Sequence, residues 1–329
     1  MNSTRVLVTG ATGFTGGHLC ERLIREGYSV RGLVRNPARA AHLHRRGVEI
    51  AVGDLRDAKS LRSATRKISV VYHIAAEFRR ENLPRKEMMD INVNGTKNML
   101  DAAIQSGVER FVHCSTVGVH GHIENPPANE ETRYAPGDSY QESKLAAERI
   151  VLQYRGEGRL PIVIFRPGGI YGPQDLRFLK LFRAIGKKRF VMLGSGKVIY
   201  QMIYIDDLID GVLLCGRQAN ATGNIYILTG EEPTTLNQLV QVIAEVLGVS
   251  PTRLHFPVTP VYLAGFACEL LCKPLGFEPP LYRRRVDFFR KNRCFDVSKA
   301  KKELGFDPKT NLKTGIRLTA EWYRNEGLL

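Results

Sequence analysis

Three glycines at positions 10, 13 and 16 follow directly on an apolar run over residues 5–9. The run is typical of a buried strand, and the glycines indicate a tight turn into a helix over residues 13–26. Such a turn lets the backbone approach a pyrophosphate, whose charge the N–H groups at the helix N-terminus stabilise. The sequence therefore predicts a dinucleotide-binding turn. The residues expected to contact the dinucleotide here are Gly10, Thr12, Gly13, Phe14, Thr15 and Gly16.

The first half of the chain repeats this strand-and-helix unit. A long helix is predicted over residues 84–106, and a helix that carries Tyr140 and Lys144 follows the fifth strand. Repeated units of this kind, with strands that are apolar throughout, form a parallel sheet with helices on both faces. The predicted fold class is therefore α/β, a Rossmann-type doubly wound parallel sheet. Further strands are predicted at residues 28–34, 48–52, 69–74, 110–115 and 160–166.

After Pro167 the alternation of strand and helix breaks down into short helices and glycine-rich turns. The later pattern predicts a strand-like segment over 198–205, helices over 206–215 and 235–247, and a strand over 224–229. We interpret this half as a smaller C-terminal substrate-binding part interleaved with the last strands of the sheet. The predicted division assigns residues 1–167 and 198–228 to a dinucleotide-binding domain, and residues 168–197 and 229–329 to the substrate-binding part.

The chain has a net charge of +15, although its composition, with 43% hydrophobic and 25% charged residues, is that of an ordinary globular protein. Basic residues cluster over 31–46, where a cofactor phosphate would lie, and over 283–293. A nucleic-acid binder would show one continuous basic face with stacking aromatic residues. We therefore expect a small-molecule substrate and no nucleic-acid partner, while peripheral contact with an anionic membrane surface stays open.

The N-terminus and the cysteines predict a cytoplasmic protein. Residues 1–4 lead into the first strand without the apolar stretch of a signal peptide, and the longest apolar stretch, over 261–272, is too short to span a bilayer. The six cysteines show no spacing of metal ligands, so reduced thiols and no metal site are expected.

The end of the second strand bears on the choice between NAD and NADP. An acidic residue at this place binds the ribose hydroxyls of NAD. This chain carries Arg35 there, which can bind a 2′-phosphate through charge-assisted hydrogen bonds. The sequence therefore predicts NADP, with NAD possible. Asp54 and Leu55 are expected beside the adenine, and Ala75 and Ala76 along the cofactor.

Tyr140 and Lys144 are one helical turn apart, so their side chains are neighbours on one helix face. A phenol with the reference pKa of about 10 is a poor base, and lowering that pKa by about three units requires roughly 4 kcal/mol of differential stabilisation. A buried ammonium and an oxidised nicotinamide can supply it. We therefore expect Tyr140 to accept the proton of a secondary alcohol. A hydroxyl at the end of the fifth strand, Ser115 or Thr116, would hold the substrate oxygen.

Six motifs follow one another along the chain: Thr9-Gly-Ala-Thr-Gly-Phe-Thr-Gly16, His73-Ile-Ala-Ala76, Asn92-Val-Asn-Gly-Thr96, Cys114-Ser-Thr116, Tyr140-x-x-x-Lys144 and Arg166-Pro-Gly-Gly-Ile-Tyr-Gly-Pro173. With these motifs in this order, the chain resembles the extended short-chain dehydrogenase/reductases, the NAD(P)-dependent epimerase/dehydratase superfamily, over essentially its whole length. The resemblance implies that Tyr140 is the acid/base, that Lys144 orients the ribose and lowers the pKa of Tyr140, and that Pro167 lies beside the nicotinamide.

The resemblance also bears on the catalytic hydroxyl and on assembly. Counting back from Gly121, the glycine that closes the family's Ser/Thr-x-x-Val-Tyr-Gly segment, places Thr116 in the Ser/Thr position. His120 stands where the family has Tyr, so Ser115 remains the alternative. Members commonly dimerise through the two helices predicted over residues 84–106 and 139–154, and a homodimer is expected.

Two departures from the nucleotide-sugar members indicate a different substrate. Those members often have Asn at the place of Gly169 and Arg at the place of Tyr200, and both contact a diphosphate. The C-terminal part is similar to that of 3β-hydroxysteroid dehydrogenase-like members, with an apolar segment over 260–277 that could form a lid. The predicted function is an oxidoreductase that interconverts a secondary alcohol and a ketone on an apolar, sterol- or terpenoid-like substrate. The alternatives are a nucleotide-sugar epimerase or dehydratase and a catalytically silent cofactor-binding regulatory protein.

Overall fold

The computed structural model describes residues 4–78, 83–252, 254–272, 277 and 279–329. The strands are β1 (Arg5–Thr9), β2 (Ser29–Val34), β3 (Glu49–Val52), β4 (Val70–His73), β5 (Arg110–Cys114), β6 (Ile162–Pro167), β7 (Gly169–Tyr171), β8 (Met192–Leu193), β9 (Met202–Tyr204), β10 (Ile225–Leu228) and β11 (His255–Phe256). The helices are α1 (Phe14–Arg25), α2 (Ala41–Arg45), α3 (Ala58–Ala64), α4 (Arg85–Met89), α5 (Gly95–Gln105), α6 (Ser139–Gly156), α7 (Leu179–Gly186), α8 (Ile205–Arg217), α9 (Leu236–Leu247), α10 (Val258–Cys272), α11 (Arg283–Val286), α12 (Ser298–Leu304) and α13 (Leu312–Asn325).

Seven parallel strands form the central sheet, in the order β10-β6-β5-β4-β1-β2-β3. Neighbouring side chains of β1 enter opposite cores, because successive side chains of a strand point to opposite faces. Val6 and Val8 belong to the core that includes α1 and α8, whereas Leu7 belongs to the core that includes α3 and α5. Helices therefore cover both faces, and the predicted Rossmann-type doubly wound sheet is confirmed.

The helix predicted over residues 84–106 is a composite of three segments. A π-helical turn over Asp90–Asn94 joins α4 to α5. The hydroxyl of Thr96 donates to the carbonyl of Asn92 over 2.7 Å, as happens where side chains interrupt regular helical bonding. Asn92 itself is buried and faces the loop after β4. The wide turn therefore places a polar side chain beside the edge of the sheet where the strands end.

The second half of the chain forms two small sheets outside the central one. β7 pairs with β9, and β8 pairs with β11, both in parallel. The strand-like segment predicted over 198–205 contains only β9, which is shorter than expected. The residues of this segment that precede β9 make isolated backbone hydrogen bonds to different parts of the chain. Tyr200 N donates to Thr234 O, and Gln201 N donates to Arg293 O. The division into a dinucleotide-binding domain and a substrate-binding part stays a prediction.

Helix α10 is apolar and largely exposed. Among its described residues only Gly265 and Glu269 are buried, and Glu269 accepts hydrogen bonds from Arg283. Leu263, Phe266, Leu270 and Leu271 are exposed. This surface lies within the segment predicted as an apolar lid, and residues 273–276 of that segment fall outside the described residues. No helix in the described part of the chain has the length and apolarity needed to cross a membrane.

Candidate active site

The sequence-predicted site residues gather at one edge of the central sheet. Gly10 follows β1, Ala75 and Ala76 follow β4, Thr116 follows β5, and Pro167 ends β6. In a parallel sheet these carboxyl ends all lie at the same edge. From β1 the chain adds strands toward one side of the sheet as far as β3, and from β4 onward it adds them on the other side. Doubly wound sheets bind their ligands at the carboxyl ends of the two strands between which this direction reverses, here β1 and β4.

The glycine turn has the geometry of a phosphate cradle. Gly10 has φ +69°, a left-handed conformation that favours glycine. A Cβ atom on Gly16 would lie 2.2 Å from the carbonyl oxygen of Gly10, so the helix and the strand could not approach as they do. Gly13 is the N-cap of α1 and provides no side chain to occupy the first N–H groups. These groups are therefore available to a pyrophosphate.

The residues expected around the adenosine half lie at the ends of β2 and β3. Arg35 is exposed directly after β2, and no carboxylate neighbours it in the sequence up to residue 48. The Asp54 carboxylate accepts hydrogen bonds from the Arg56 guanidinium at 3.1 and 3.0 Å, which lower the pKa of Asp54. Leu55 is buried and packs against Gly95 of α5. The charged group exposed at the end of β2 is thus Arg35.

Lys144 is buried at the end of β5. Its Nζ atom donates to the carbonyl oxygen of Cys114 over 2.6 Å, and burial lowers the pKa of Lys144. Among the described residues this carbonyl is the single hydrogen-bond acceptor of an ammonium that carries three N–H donors. A buried ammonium with donors to spare requires further acceptors. The hydroxyls of a ribose at this edge of the sheet would satisfy that need, so the residues fit a nicotinamide dinucleotide.

A buried hydrogen-bond chain links β1 to β4 beneath this site. Thr9 Oγ1 accepts from Ala75 N at 3.1 Å and lies 3.0 Å from His73 Nδ1. His73 Nε2 lies 3.1 Å from Thr96 Oγ1, whose proton is committed to the carbonyl of Asn92. His73 Nε2 must then be the donor, and Nδ1 the acceptor. Burial and the nearby Lys144 lower the pKa of His73 to about 3, so His73 is a neutral structural residue.

Asn92 extends the chain of hydrogen bonds to the helix that carries Tyr140. Its side chain accepts from Glu77 N at 2.8 Å and donates to Glu77 O at 3.0 Å, which fixes the loop after β4. It also donates to Ser143 Oγ at 2.9 Å, and Ser143 Oγ donates to the Tyr140 carbonyl at 2.7 Å. Tyr140 is half-buried in the first turn of α6, whose N-cap is Asp138. Its ring centroid lies 6.1 Å from that of Phe78.

Ser115 and Thr116 have different surroundings, although they are adjacent. Ser115 Oγ is buried and donates to Glu148 Oε2 at 2.5 Å. Glu148 forms a fully buried ion pair with Arg166, with Nη2 and Oε1 2.6 Å apart. Thr116 is only partly buried, and its Oγ1 accepts from Gly118 N at 3.0 Å. The Thr116 hydroxyl donates its proton to no residue that the structure describes, whereas the proton of Ser115 is committed to Glu148.

Replacing Thr116 by Ala is therefore expected to lower turnover by about 10²-fold or more, because it removes one donor to the reacting oxygen. Ser115→Ala is the matched variant, and we expect it to lower the melting temperature while turnover stays within a few-fold. Steady-state kinetics and thermal unfolding of both variants provide the measurement. A larger loss of turnover in Ser115→Ala would reverse the assignment.

Doubly wound α/β enzymes that depend on NAD(P) hold their cofactor at this edge of the sheet. Residues 6–228 match the family described as the NAD dependent epimerase/dehydratase family, and the chain belongs to it. It is similar to sterol demethylase protein B of Methylococcus capsulatus, with 31% identity over 98% of this chain and 99% of the relative. It is also 31% identical to 3beta-hydroxysteroid-dehydrogenase/decarboxylase isoform 1 of Arabidopsis thaliana, over 96% of this chain and 78% of the relative.

Among solved structures, the chain is similar to MoeE5 in complex with UDP-glucose and NAD. The TM-score is 0.78 and the identity 26%, over 98% of this chain and 99% of the other. These matches confirm the predicted family, the fold and an enzyme that depends on NAD(P). The roles of single residues and the preference for NADP stay predictions.

The sequence motifs do not single out two residues of the site, Asn92 and Glu148. Asn92 stands within a motif but its role is not apparent from it, and Glu148 belongs to none of the motifs. Glu148 follows Lys144 by one helical turn, and that spacing is a signal that its side chain shares the buried face of α6.

Proposed function

We propose that this protein is an NADP-preferring oxidoreductase that interconverts a secondary alcohol and a ketone on an apolar, sterol-like substrate. Tyr140 exchanges the hydroxyl proton, Lys144 holds the ribose and favours the phenolate, and Thr116 donates to the substrate oxygen. The bound nicotinamide supplies the hydride acceptor. The proposal is supported by the buried Lys144 and by the different hydrogen-bonding states of Ser115 and Thr116.

The observation that carries the apolar substrate is the contact between Gly169 and Tyr200. A Cβ atom on Gly169 would lie 2.9 Å from both Cε1 and the hydroxyl oxygen of Tyr200. The Tyr200 ring therefore fills the space that a side chain at position 169 would occupy. It is fixed there by an edge contact with Phe288, with 5.0 Å between centroids, and by the Arg293 guanidinium 5.3 Å above its ring.

This contact couples the two departures from the nucleotide-sugar pattern. An Asn at position 169 would clash with the ring of Tyr200 as it is placed here, so the absence of a side chain at Gly169 accommodates Tyr200. The rings of Tyr200 and Phe288 form an aromatic wall at the place where nucleotide-sugar members make two polar contacts to a diphosphate. Such a wall contributes apolar area to the binding of a ring system and offers little to a charged phosphate. The sterol-related names of two relatives support the same substrate class.

The second candidate function is a nucleotide-sugar epimerase, in which the hydride returns to the substrate within one turnover. The likeness to MoeE5 favours it, since that structure holds UDP-glucose. A panel of 3β-hydroxysterols, UDP-sugars and GDP-sugars, followed by nicotinamide absorbance, separates the candidates. We expect net formation of NADPH with a hydroxysterol and none with the sugars. Sugar product without net reduction would favour the epimerase, and tight cofactor binding without any turnover would favour a regulatory protein.

The preference for NADP depends on Arg35. Arg35→Ala is expected to lower the ratio of catalytic efficiencies with NADP and NAD by about 10- to 100-fold, because it removes a charge-assisted contact to the 2′-phosphate. Arg45→Ala, at an exposed arginine of the same basic cluster, is the control and should leave the ratio unchanged. A wild-type protein that prefers NAD would contradict the prediction.

Two further expectations belong to this proposal. A homodimer would use the composite helix from α4 to α5 together with α6, and a monomeric mass by light scattering would refute it. Helix α10, which exposes Leu263 and Leu271, would cover the substrate as a lid. A cytoplasmic location stays a prediction, and contact of this helix with a membrane surface stays open.

A further inference from the structure

Large apolar side chains are exposed mainly over one stretch of the chain, residues 254–277. Of the eleven such side chains that are exposed in the described part of the protein, seven lie in this stretch. We call them the apolar surface: Leu254, Phe256, Leu263, Phe266, Leu270, Leu271 and Phe277. Its last member is held at the end of α10, since Phe277 N donates to Cys272 O at 3.1 Å. A contiguous exposed apolar patch marks a binding surface on a folded protein.

Helix α10 turns its only charged residue inward. Glu269 is the single charged residue between positions 258 and 272, and it accepts from Arg283 N at 2.8 Å and from Arg283 Nη2 at 3.0 Å. Gly265, one turn earlier, faces the same segment, because a Cβ atom there would lie 3.3 Å from Arg283 N. The other large exposed side chains of α10 follow Leu263 at spacings of three, seven and eight residues, so they share the opposite face. The outward face of α10 therefore carries no charge.

Basic residues border the apolar surface on two sides. Those of one side lie at the C-terminal end of α7, and β8, which follows them, pairs with β11 of the apolar surface. Those of the other side follow α10, and the guanidinium carbon of Arg290 lies 3.9 Å from the ring centroid of Tyr262 in that helix. We call these exposed residues the basic border: Lys187, Lys188, Arg189, Arg285 and Arg290. Such side chains keep their charge in water while their stems or planes cover apolar area.

The acidic residues near this surface are already paired. Over the described residues between 254 and 293, they are Glu269, which pairs with Arg283, and Asp287, whose Oδ2 lies 2.7 Å from Lys291 Nζ. Their side chains are only 10% and 14% exposed. Residues 187–197, on the other side, contain no acidic residue. The basic border therefore offers positive charge to a partner.

We propose that α10 binds the surface of an anionic lipid bilayer, with its exposed leucines among the acyl chains and the basic border at the headgroups. Lipid matches both parts of the surface, since acyl chains take up apolar area and anionic headgroups attract lysine and arginine. A second copy of the chain docked through the same face would bring two basic borders together, which repel each other. The net charge of +15 adds a long-range attraction to the same partner. The inference goes beyond the proposed function and holds for either candidate substrate.

The test measures binding of the full chain to lipid vesicles by flotation. One set of vesicles is phosphatidylcholine alone, and the other also contains phosphatidylglycerol. We expect the protein to bind the mixed vesicles at least about 10-fold more tightly, and added salt to reduce the difference, because salt screens the attraction between basic side chains and headgroups. Equal binding to the two sets, or binding to neither, would overturn the proposal.

Leu271→Ser separates insertion into lipid from attraction by charge. We expect it to weaken binding to the mixed vesicles about 10-fold, because a leucine side chain no longer leaves water on binding. Val52→Ser is the matched control and should bind as the wild type does. Val52 is 59% exposed and Leu271 67%, and Val52 lies on β3, an edge strand of the central sheet. Unchanged binding of a folded Leu271→Ser protein, checked by thermal unfolding, would show that α10 does not enter lipid.

Replacing Lys187 and Arg189 together by Gln tests the basic border. We expect binding to the mixed vesicles to fall about 10-fold, while binding to phosphatidylcholine alone stays the same. The control replaces Arg39 and Arg45 by Gln, which makes the same charge change at exposed residues of the other basic cluster. Equal losses in the two double variants would show that net charge alone attracts the vesicles, and would overturn the proposal. Light scattering without lipid tests the alternative occupant, since a dimer that Leu271→Ser dissociates would assign the surface to a second copy.

Discussion

Replacing Tyr140 by Phe is expected to lower kcat/KM by about 10²- to 10⁴-fold, because the variant lacks the group that accepts the hydroxyl proton. The ring remains, so the contact with Phe78 and the start of α6 should persist. The dissociation constant of NADPH is therefore expected to stay within a few-fold of the wild-type value. Steady-state kinetics with the best substrate of the panel and fluorescence titration of NADPH provide the two measurements.

Tyr154→Phe is the control for this prediction. Tyr154 lies on the same helix, and its hydroxyl donates to Asp101 at 2.6 Å, on the side away from the glycine turn. Its removal should leave kcat/KM unchanged. Tyr140→Phe with near-normal turnover would show that the phenol takes no part in proton transfer. Lys144→Met should weaken both turnover and cofactor binding, which separates an orienting ammonium from the acid/base.

Replacing Glu148 by Gln is expected to destabilise the protein by about 3–5 kcal/mol, because it leaves the buried Arg166 guanidinium without its counter-charge. The free energy of unfolding is measured by urea denaturation. The matched control is Glu321→Gln, which breaks an exposed pair between Arg317 and Glu321 and should cost about 0.5 kcal/mol or less. Equal effects of the two substitutions would contradict the importance of burial.

The buried ion pair between Glu148 and Arg166 also makes the stability of the folded protein depend on pH. Burial acts to raise the pKa of Glu148, but hydrogen bonds from Arg166, Ser115 and Tyr134 hold it below its ordinary value. A depressed pKa in the folded state contributes stability that is fully present above the ordinary glutamate pKa. This contribution is lost as the pH falls through the lower pKa of the folded state. The stability of Glu148→Gln should therefore depend less on pH in the acidic range than that of the wild type.

The sheet and the cofactor turn could be predicted because their signals are local. The spacing of Gly10, Gly13 and Gly16 after an apolar strand determines both the turn and the helix that follows. Parallel strands that are buried on both faces leave uninterrupted apolar runs in the sequence. The same logic identified Tyr140 and Lys144, whose spacing places them on one helix face.

The remaining features depend on contacts between distant segments. The π-helical turn exists where Asn92 bonds to Glu77 and Ser143, and neither partner is apparent from the residues around Asn92. Glu148 and Arg166 resemble surface charges until the fold buries them together. Likewise, the close packing of the Tyr200 ring against Gly169 is not apparent from the sequence around either residue. Tertiary pairing determines such features, and local pattern does not.

The most direct test of hydride transfer to the cofactor uses a sterol that carries deuterium at the carbinol carbon. After incubation with NADP⁺ and the enzyme, the cofactor is isolated and its mass measured. The account predicts that deuterium accumulates in NADPH in proportion to ketone formed, and that Tyr140→Phe forms both at least about 10²-fold more slowly. Unlabelled cofactor, with the label retained in an altered substrate, would contradict it.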